Sequence, residues 1–526
     1  MPIPLPMRLS RPLAVAALVL GVSVALAAAS PAHAAADPLA RALARGQITE
    51  PEYALAQADA LFHPRRFASR YPGAHRPGPH DATGVLRRLR AALPALHGRE
   101  LAHAQRLLAR PTEDSDPYGL AYSKGVRTVC TQHVCVHWVI EGPDAPSLAD
   151  TDHSGSADWA ETTAAVFEEV WAKEVGSLGY RAPLPDAASG ENGGDARLDV
   201  YLADVGAEGY FGWCTTDDPA SFAHRAVSAY CVLDEDYANP DFDGLSPRAA
   251  LEVTAAHEFF HAVQFAYDWL EDLWLMEGTA AWIEDVVYDG VNDNFRYLRE
   301  DSPIVEPGVP LDLGRGGFEY GAWIFWRSLS ERHGNAIVRR VWNHAGASSG
   351  SGDFSLAAVR RALAERHSSF ERAFAGFAAA NAEPAGSYQE GGRYPRAGRT
   401  VSILGGARWS SGPQTARVAH LASHVVAFRP AGGHVLRIAV DLPQRAARAS
   451  VVVVPRVGRP RIRRIRVDGA GHGIAYVPFS PATVERVDLV LANAGTRYTC
   501  WRGTDLSCHG VALDDGRRFS YDATVS

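Results

Sequence analysis

The 526-residue chain lacks an excess of positive charge, because 60 aspartate and glutamate residues outnumber 52 lysine and arginine residues and give a formal net charge of −8. Recognition of phosphates needs a concentrated basic surface, so nucleic acid is not expected as a partner. The sequence beyond residue 34 also lacks an apolar run of membrane-spanning length, and no stable membrane span is expected. A chain of this length usually divides into two or three domains.

The cysteines include no C-x-x-C pair, and this absence disfavours a thiolate metal site. They lie instead in pairs that are close along the chain: Cys130 with Cys135, Cys214 with Cys231, and Cys500 with Cys508. The sequence permits other connectivities, but proximity favours local disulfide bridges, which are typical of exported proteins.

The N-terminus has the order of a secretory signal. Arg8 and Arg11 precede an apolar, alanine-rich run over residues 13–29, and the small residues Ala32 and Ala34 form an A-x-A type cleavage site. A membrane anchor is the other interpretation, but the run is short for a bilayer span. We therefore expect residues 1–34 to be a signal peptide and the mature protein to be secreted.

A helical segment is predicted for residues 35–115, which are rich in Ala, Leu and Arg. Helical patterns cover residues 49–62 and 82–109, and the Pro-, Arg- and Gly-rich residues 63–80 between them predict an irregular connection. Two roles remain open for this segment, an inhibitory pro-segment and a helical cap on the next domain. It contains no cysteine, which excludes a thiol that would bind an active-site metal.

An α+β domain is predicted over residues 116–390. Residues 133–140 alternate like a strand, a helix follows over residues 159–175, and three more alternating segments precede a helix that contains two histidines. A second apolar helix is predicted over residues 322–340. This order favours a sheet packed against an active-site helix.

An acidic loop precedes the helix at residue 159. Its oxygen-bearing residues fall at positions 1, 3, 5, 9 and 12 of an EF-hand calcium loop with Gly155 at position 6. The candidate ligands are Asp150, Asp152, Ser154, Ser156, Asp158 and Glu161. A chain that wraps around one ion needs this spacing, a sharp turn and a closing glutamate. The sequence therefore predicts a Ca²⁺ site without the usual paired helices. An acidic turn that only caps the helix is the alternative.

A zinc-binding motif lies within the two-histidine helix. His257 and His261 are four residues apart, so they share one helix face and can bind one metal ion through their imidazole rings. Glu258 lies beside them and is expected to accept a proton from the metal-bound water and to pass it to the leaving amine. The motif predicts a hydrolytic Zn²⁺ site.

The segment Trp274-Leu-Met-Glu277-Gly-Thr-Ala-Ala-Trp-Ile-Glu284 resembles W-L-N-E-G-F-A-x-x-x-E of the gluzincin peptidases. The resemblance implies a zincin-like catalytic domain with Glu277 as the third zinc ligand. Glu284, two helical turns later, is expected to accept a hydrogen bond from a liganding histidine. The loop after His261 is three residues shorter than in the zinc aminopeptidases of that family. The overall pattern is similar to secreted bacterial metalloproteases with largely uncharacterised substrates.

Two further features of the sequence define how far the resemblance to the aminopeptidases of this family extends. Phe318-Glu-Tyr320-Gly-Ala-Trp resembles their Y-E-K-G-A segment, and Tyr320 is a candidate stabiliser of the oxyanion, although alignment on Gly321 places Phe318 at the tyrosine position. Their G-x-M-E-N segment, which binds the substrate's amino terminus, is absent, so exopeptidase specificity is not implied.

Short alternating segments separated by Gly and Pro predict a β-sandwich over residues 391–526. The whole pattern predicts a secreted zinc endopeptidase that acts on a protein or peptide substrate. The alternative is a secreted binding or adhesion protein that has an inactive peptidase scaffold. The sequence does not define the oligomeric state.

Overall fold

The structure is a computed structural model that describes residues 37–526 except for positions 79, 114–121, 123–124, 239–241, 243, 347–352, 400 and 407. The expected signal peptide, residues 1–34, lies outside the described residues, as does the expected domain boundary at residues 115 and 116. Within the described part of the chain, none of the helices has both the length and the apolar character that crossing a membrane requires.

The fold is α+β, as the order of elements in the sequence predicted. The N-terminal region contains the helices α1 (Pro38–Ala44), α2 (Glu50–Phe62), α3 (Pro64–Arg70), α4 (Ala82–Ala92) and α5 (Gly98–Leu107). The central region contains the helices α6 (Asp158–Trp171), α7 (Pro247–Asp268), α8 (Leu273–Val287), α9 (Phe295–Glu300), α10 (Phe318–Gly321), α11 (Trp323–His333), α12 (Ala336–Ala345), α13 (Ser355–Ala364), α14 (Phe370–Asn381) and α15 (Pro384–Ser387).

A mixed sheet forms the centre of the first domain. Its strands are β1 (Arg127–Cys130), β2 (Val134–Trp138), β3 (Leu198–Ala203), β4 (Gly212–Thr215) and β5 (Tyr230–Asp234). The order across the sheet is β1-β2-β3-β5-β4, with β2, β3 and β5 parallel and both edge strands antiparallel. Disulfides Cys130–Cys135 and Cys214–Cys231 join β1 to β2 and β4 to β5. The edge strand β4 lies beside the helix that contains the two histidines.

Helices cover both faces of this sheet because its strands alternate apolar side chains on both sides. Val200 lies in the core that includes Phe259 of α7. The next residue, Tyr201, lies in a second core with Leu86 and Leu89 of α4. The N-terminal helices are therefore a packed layer of the domain.

Two predicted boundaries are wrong. Residues 63–80 were expected to be irregular, but they include α3, which begins at Pro64, where proline's fixed φ suits the first helical position. The expected helix over residues 322–340 is divided into α11 and α12 at Gly334, whose φ of 80° lies outside the helical region.

The C-terminal region forms two sheets that face each other. One sheet contains β7 (Trp409–Ser410), β8 (Gln414–Val418), β10 (Val435–Asp441), β13 (His472–Pro478) and β17 (Arg517–Val525). The other contains β6 (Val401–Gly405), β9 (Ala422–Pro430), β11 (Ala447–Pro455), β12 (Arg461–Arg464) and β14 (Val484–Asn493). One core lies between the sheets and includes Ile438 from the first and Leu489 from the second.

A short hairpin extends from the sandwich to the first domain. It contains β15 (Tyr498–Thr499) and β16 (Val511–Ala512), and the disulfide Cys500–Cys508 closes it. Trp274 Nε1 donates to Ser507 Oγ at 3.1 Å, so the hairpin contacts the first turn of α8.

Candidate metal centre

Helix α7 places two imidazole rings on one face. Ser246 caps its N-terminus by accepting a hydrogen bond from Ala249 N at 3.3 Å, and Pro247 occupies the first turn. His257 and His261 lie one turn apart, with ring centroids separated by 4.8 Å. Both rings are buried, with 3% and 0% of each residue exposed.

Helix α8 brings a carboxylate to both rings. Glu277 Oε2 lies 3.2 Å from His257 Nε2 and 3.3 Å from His261 Nε2. A ligand atom of Glu258 also lies within 4.8 Å of ligand atoms of both histidines. The structure therefore brings together the four residues that the sequence assigned to the zinc site and to proton transfer.

The donor set fits a divalent metal ion such as zinc. His261 Nε2 and Glu277 Oε1 are buried and make no hydrogen bond with any described residue. Buried polar atoms without partners are costly, and an ion bound by two imidazoles and a carboxylate would satisfy them. Burial alone would raise the pKa of Glu277, but the charge of His261, together with the charge and the hydrogen bond of His257, lowers it to about 2.

Hydrogen bonds to the other ring nitrogens orient both histidines. His257 Nδ1 lies 2.6 Å from Glu284 Oε1, the contact that the spacing of the two glutamates predicted. His261 Nδ1 lies 2.8 Å from Gln264 Oε1, and Gln264 Nε2 donates to Met276 O at 2.9 Å. Sequence reasoning missed Gln264, although its position three residues after His261 on the same helix was a usable signal.

Glu258 is held by a hydroxyl group from the N-terminal region. Thr83 Oγ1 donates to Glu258 Oε2 at 3.1 Å and accepts from Cys214 N of β4 at 2.9 Å. Glu258 is 3% exposed, and burial raises the pKa of its carboxyl group. A raised pKa suits a carboxylate that must accept a proton near neutral pH.

Tyr320 lies near the centre but its hydroxyl group is already engaged. Its ring centroid is 6.2 Å from that of His257, and its hydroxyl donates to His80 O at 2.7 Å. Burial raises the pKa of Tyr320 well above its ordinary value, so the phenol stays protonated and able to donate. The structure thus places the tyrosine within reach of the site and bonded to the N-terminal region.

The centre is closed by residues from the N-terminal region. A cavity of only ≈ 10 Å³ remains beside the metal ligands, lined by His80, Phe211, Val253, Thr254, His257, Glu258, Glu284 and Asp293. This leaves room for about one water molecule. The His80 ring fills the space, at centroid distances of 4.6 Å from Phe211 and 5.8 Å from Tyr320.

The acidic loop at residues 150–161 has a compact shape. Ligand atoms of Asp150, Asp152 and Asp158 lie within 4.8 Å of one another. Asp150 and Asp152 each accept a hydrogen bond from Ser154 N at 3.0 Å. Gly155 has a φ of 90°, which only glycine adopts freely.

Three further predicted ligands of this loop, Ser154, Ser156 and Glu161, are not part of the group formed by the three aspartates. Glu161 lies in the first turn of α6 and is not among the carboxylates that the structure groups there. Ser154 Oγ accepts from Ser156 N at 3.1 Å, so the two serines contact each other.

The similarity of this chain to known proteins is weak. No protein-family model matches the chain, and no curated protein matches it either. One similar solved structure is a pre-peptidase C-terminal domain of collagenase from Bacillus anthracis, with 13% identity and a TM-score of 0.15; the match covers 24% of this chain and 94% of that chain. Another is a GH115 4-O-methyl-α-glucuronidase, BtGH115A, with 10% identity and a TM-score of 0.14; the match covers 53% of this chain and 45% of that chain. The chain therefore spans under half of that enzyme, and at these scores neither likeness supports an argument.

Proposed function

We propose that this chain is a secreted, zinc-dependent endopeptidase of the gluzincin type. The observation that carries the proposal is the position of Glu277 Oε2, 3.2 and 3.3 Å from the Nε2 atoms of His257 and His261. Two imidazoles and one carboxylate leave a fourth position for water or substrate, which distinguishes catalytic from structural zinc sites. The resemblance of both helices to gluzincin motifs supports the same reaction class.

Zinc bound by these residues would supply Lewis acidity to the scissile carbonyl and a water of lowered pKa. Glu258 lies beside the ligands and would accept the proton of that water and return it to the leaving amine. Glu284 and Gln264 would hold the imidazoles in the tautomer that leaves Nε2 free for the ion. Tyr320 would donate a hydrogen bond to the carbonyl oxygen once its bond to His80 is released.

Endopeptidase action is proposed because the segment that binds a substrate's amino terminus in the related aminopeptidases is absent from the sequence. Secretion and stabilisation by Ca²⁺ belong to the same proposal, supported by the disulfides and by the acidic loop. Disulfides of this kind persist in oxidising compartments.

The proposal is tested by metal analysis of the purified chain and by the products formed from a peptide library. We expect about one zinc ion per chain and cleavage at internal bonds of long peptides. If the products instead show removal of single residues from peptide ends, the activity is that of an exopeptidase and the endopeptidase proposal is wrong. A chain that contains no zinc after incubation with the metal would contradict the proposal.

A further inference from the structure

Residues 80–84, here named the blocking turn, lie across the candidate metal centre. Thr83 Oγ1 is the hydrogen-bond donor to Glu258, the proposed base. His80 fills the space beside His257, with ring centroids 6.4 Å apart, and its carbonyl accepts the Tyr320 hydroxyl. Both groups proposed to contact a substrate carbonyl or its water are therefore bound to the chain's own N-terminal region.

The same turn covers the free edge of the sheet. Cys214 N, on the edge strand β4, donates to Thr83 Oγ1 at 2.9 Å. Unpaired backbone groups of an edge strand are a common docking site for extended peptides. A substrate that paired with β4 next to Glu258 would have to displace Thr83.

Contacts beyond the turn hold it in place. Arg87 Nη1 donates to Trp269 O at 3.2 Å and to Glu271 O at 2.5 Å, in the connection between α7 and α8. Gly84 packs so closely that a Cβ atom there would lie 3.1 Å from Leu273 Cδ1 and 3.9 Å from Glu277 Oε1. These contacts hold the blocking turn against α8 and against the connection that precedes it.

The rest of the N-terminal region is anchored elsewhere. Arg110 is fully buried and forms ion pairs with Asp186 at 2.8 Å, Asp199 at 2.5 Å and Asp217 at 2.8 Å. The apolar faces of α2 and α5 complete a core with the sheet. Removing the whole region would expose that core and a buried group of carboxylates, whereas moving residues 80–84, which include the first turn of α4, would expose only Ala82 of that core.

We infer that the blocking turn is an internal inhibitor of the proposed peptidase and that substrate access requires residues 80–84 to leave the centre while α2 and α5 stay packed. The inference rests on the proposed function. It gives the N-terminal region both a structural role, as a layer of the domain, and a regulatory role, as the cover of the site.

The test compares full-length chains loaded with zinc. Gly84→Leu inserts a side chain against Leu273, and Thr83→Ala removes the bond to Glu258; Ala91→Leu, on the exposed side of α4, is the matched control. The first readout is hydrolysis of a short fluorogenic peptide mixture. The second is the rate at which a chelator removes zinc, which does not depend on catalysis.

Both blocking-turn variants should raise hydrolysis and zinc removal by at least about tenfold, because activity scales with the fraction of open molecules. Ala91→Leu should match the wild type. Equal chelator rates in the wild type and in two folded variants would overturn the inference. Faster zinc removal without hydrolysis in any variant would show that the blocking turn covers the metal centre but would contradict the proposed peptidase activity. Failure of the inference and failure of the proposed function therefore give different results.

A different observation carries a second inference, at the carboxyl ends of two parallel strands. Asp204 follows the last residue of β3. Asp234 is the last residue of β5, which pairs with β3, and Glu235 follows it. One oxygen of each lies within 4.8 Å of the others. Asp234 Oδ2 accepts from Tyr237 N at 2.7 Å and Asp204 Oδ1 from Ala207 N at 3.0 Å, so both carboxylates are oriented.

Glu235 points to a missing ligand in this group. It is 9% exposed, and its Oε2 is buried without a hydrogen bond to any described residue. The charged groups that act most strongly on it are Asp234, Asp204 and Asp236, all acidic. A buried carboxylate oxygen that has no hydrogen bond and lies beside two other carboxylates is stabilised by a divalent cation.

We propose that Asp204, Asp234 and Glu235 bind a Ca²⁺ ion, separate from the loop at residues 150–161. Oxygen-only ligands at the ends of strands suit a hard cation. The ion would join the carboxyl ends of β3 and β5.

Equilibrium dialysis with calcium alone tests this site. Glu235→Gln, or Asp204→Asn if the first variant does not fold, should bind about one Ca²⁺ fewer per chain than the wild type. Asp152→Ala serves as the reference for the other loop, and the double variant should lose both ions. Unchanged calcium binding in a folded Glu235→Gln chain would overturn the proposal.

Discussion

The backbone N–H of Cys508 donates to both carboxylate oxygens of Asp272, at 2.8 and 3.0 Å, across 236 residues of sequence. Asp272 precedes α8 and makes no cap to its own helix. It binds the disulfide-closed hairpin of the sandwich and the Ser355 hydroxyl instead. The start of the helix that contains Glu277 therefore depends on the C-terminal region.

Loss of the Cys500–Cys508 disulfide should weaken both stability and metal binding. Replacing both cysteines by serine frees a loop with a sequence separation of 8, which lowers the free energy of unfolding by about 2.5 kcal/mol. Zinc affinity should fall as well, because the hairpin holds Asp272. Denaturant unfolding and zinc titration measure the two effects. The matched control removes the Cys130–Cys135 disulfide, which should leave zinc affinity unchanged. If both disulfide variants lose zinc affinity equally, the hairpin has no specific role in holding Asp272.

Contacts between the domains should make stability depend on pH through His420. Burial alone would lower its pKa, but hydrogen bonds to Asp312 and Asp515 raise it to about 9 from an ordinary 6.5. The stabilisation is therefore complete below pH 6.5 and lost as pH rises through 9. The shift corresponds to about 3 kcal/mol.

His420→Gln should remove this pH dependence of the free energy of unfolding between pH 6.5 and 9.5. His472→Gln, at an exposed position, is the control and should behave like the wild type. A wild-type free energy that stays constant over this interval would show that His420 does not titrate as described.

Glu284→Gln should weaken zinc binding by about 10–100-fold, because the amide no longer accepts a strong hydrogen bond from His257 Nδ1. Competition with a metal-sensitive dye measures the affinity. Glu300→Gln changes an exposed glutamate at the end of α9 and should leave it unaffected. Equal zinc affinities of Glu284→Gln and the wild type would show that Glu284 does not support zinc binding by His257.

Calcium should raise the melting temperature, and EGTA should reverse the rise. Asp152→Ala should abolish the part that arises from the loop at residues 150–161, where Asp152 lies beside two other carboxylates. Adding Glu235→Gln should abolish the remainder. Glu141→Ala, at an exposed position outside both groups, is the control. If calcium raises the melting temperature of Asp152→Ala as much as that of the wild type, the loop at residues 150–161 is not a calcium site.

Local spacing predicted part of the site. His257, Glu258 and His261 lie within two turns of one helix, so helix geometry alone placed them together. Glu277 was identified by the resemblance of its segment to a known peptidase motif, and its position beside both histidines did not follow from spacing. The strands of the C-terminal region were predictable from their alternation.

Contacts between distant segments were not predictable from spacing. The bond between Thr83 and Glu258 joins positions 175 apart, and no local pattern marks either residue as its partner. The same holds for Cys508 and Asp272. Sequence reasoning therefore left the N-terminal region between two roles, pro-segment and cap, whereas its contacts with Glu258 and Tyr320 define where it lies.

The role of Glu258 is the central claim, and Glu258→Gln tests it most directly in a background that contains Gly84→Leu. Glutamine keeps the size and removes the proton acceptor, so the zinc content should equal that of the parent chain. The rate of hydrolysis of an unfolded protein should fall by at least about 100-fold, the usual contribution of a general base. Equal zinc content with equal hydrolysis in the two chains would contradict the proposed mechanism.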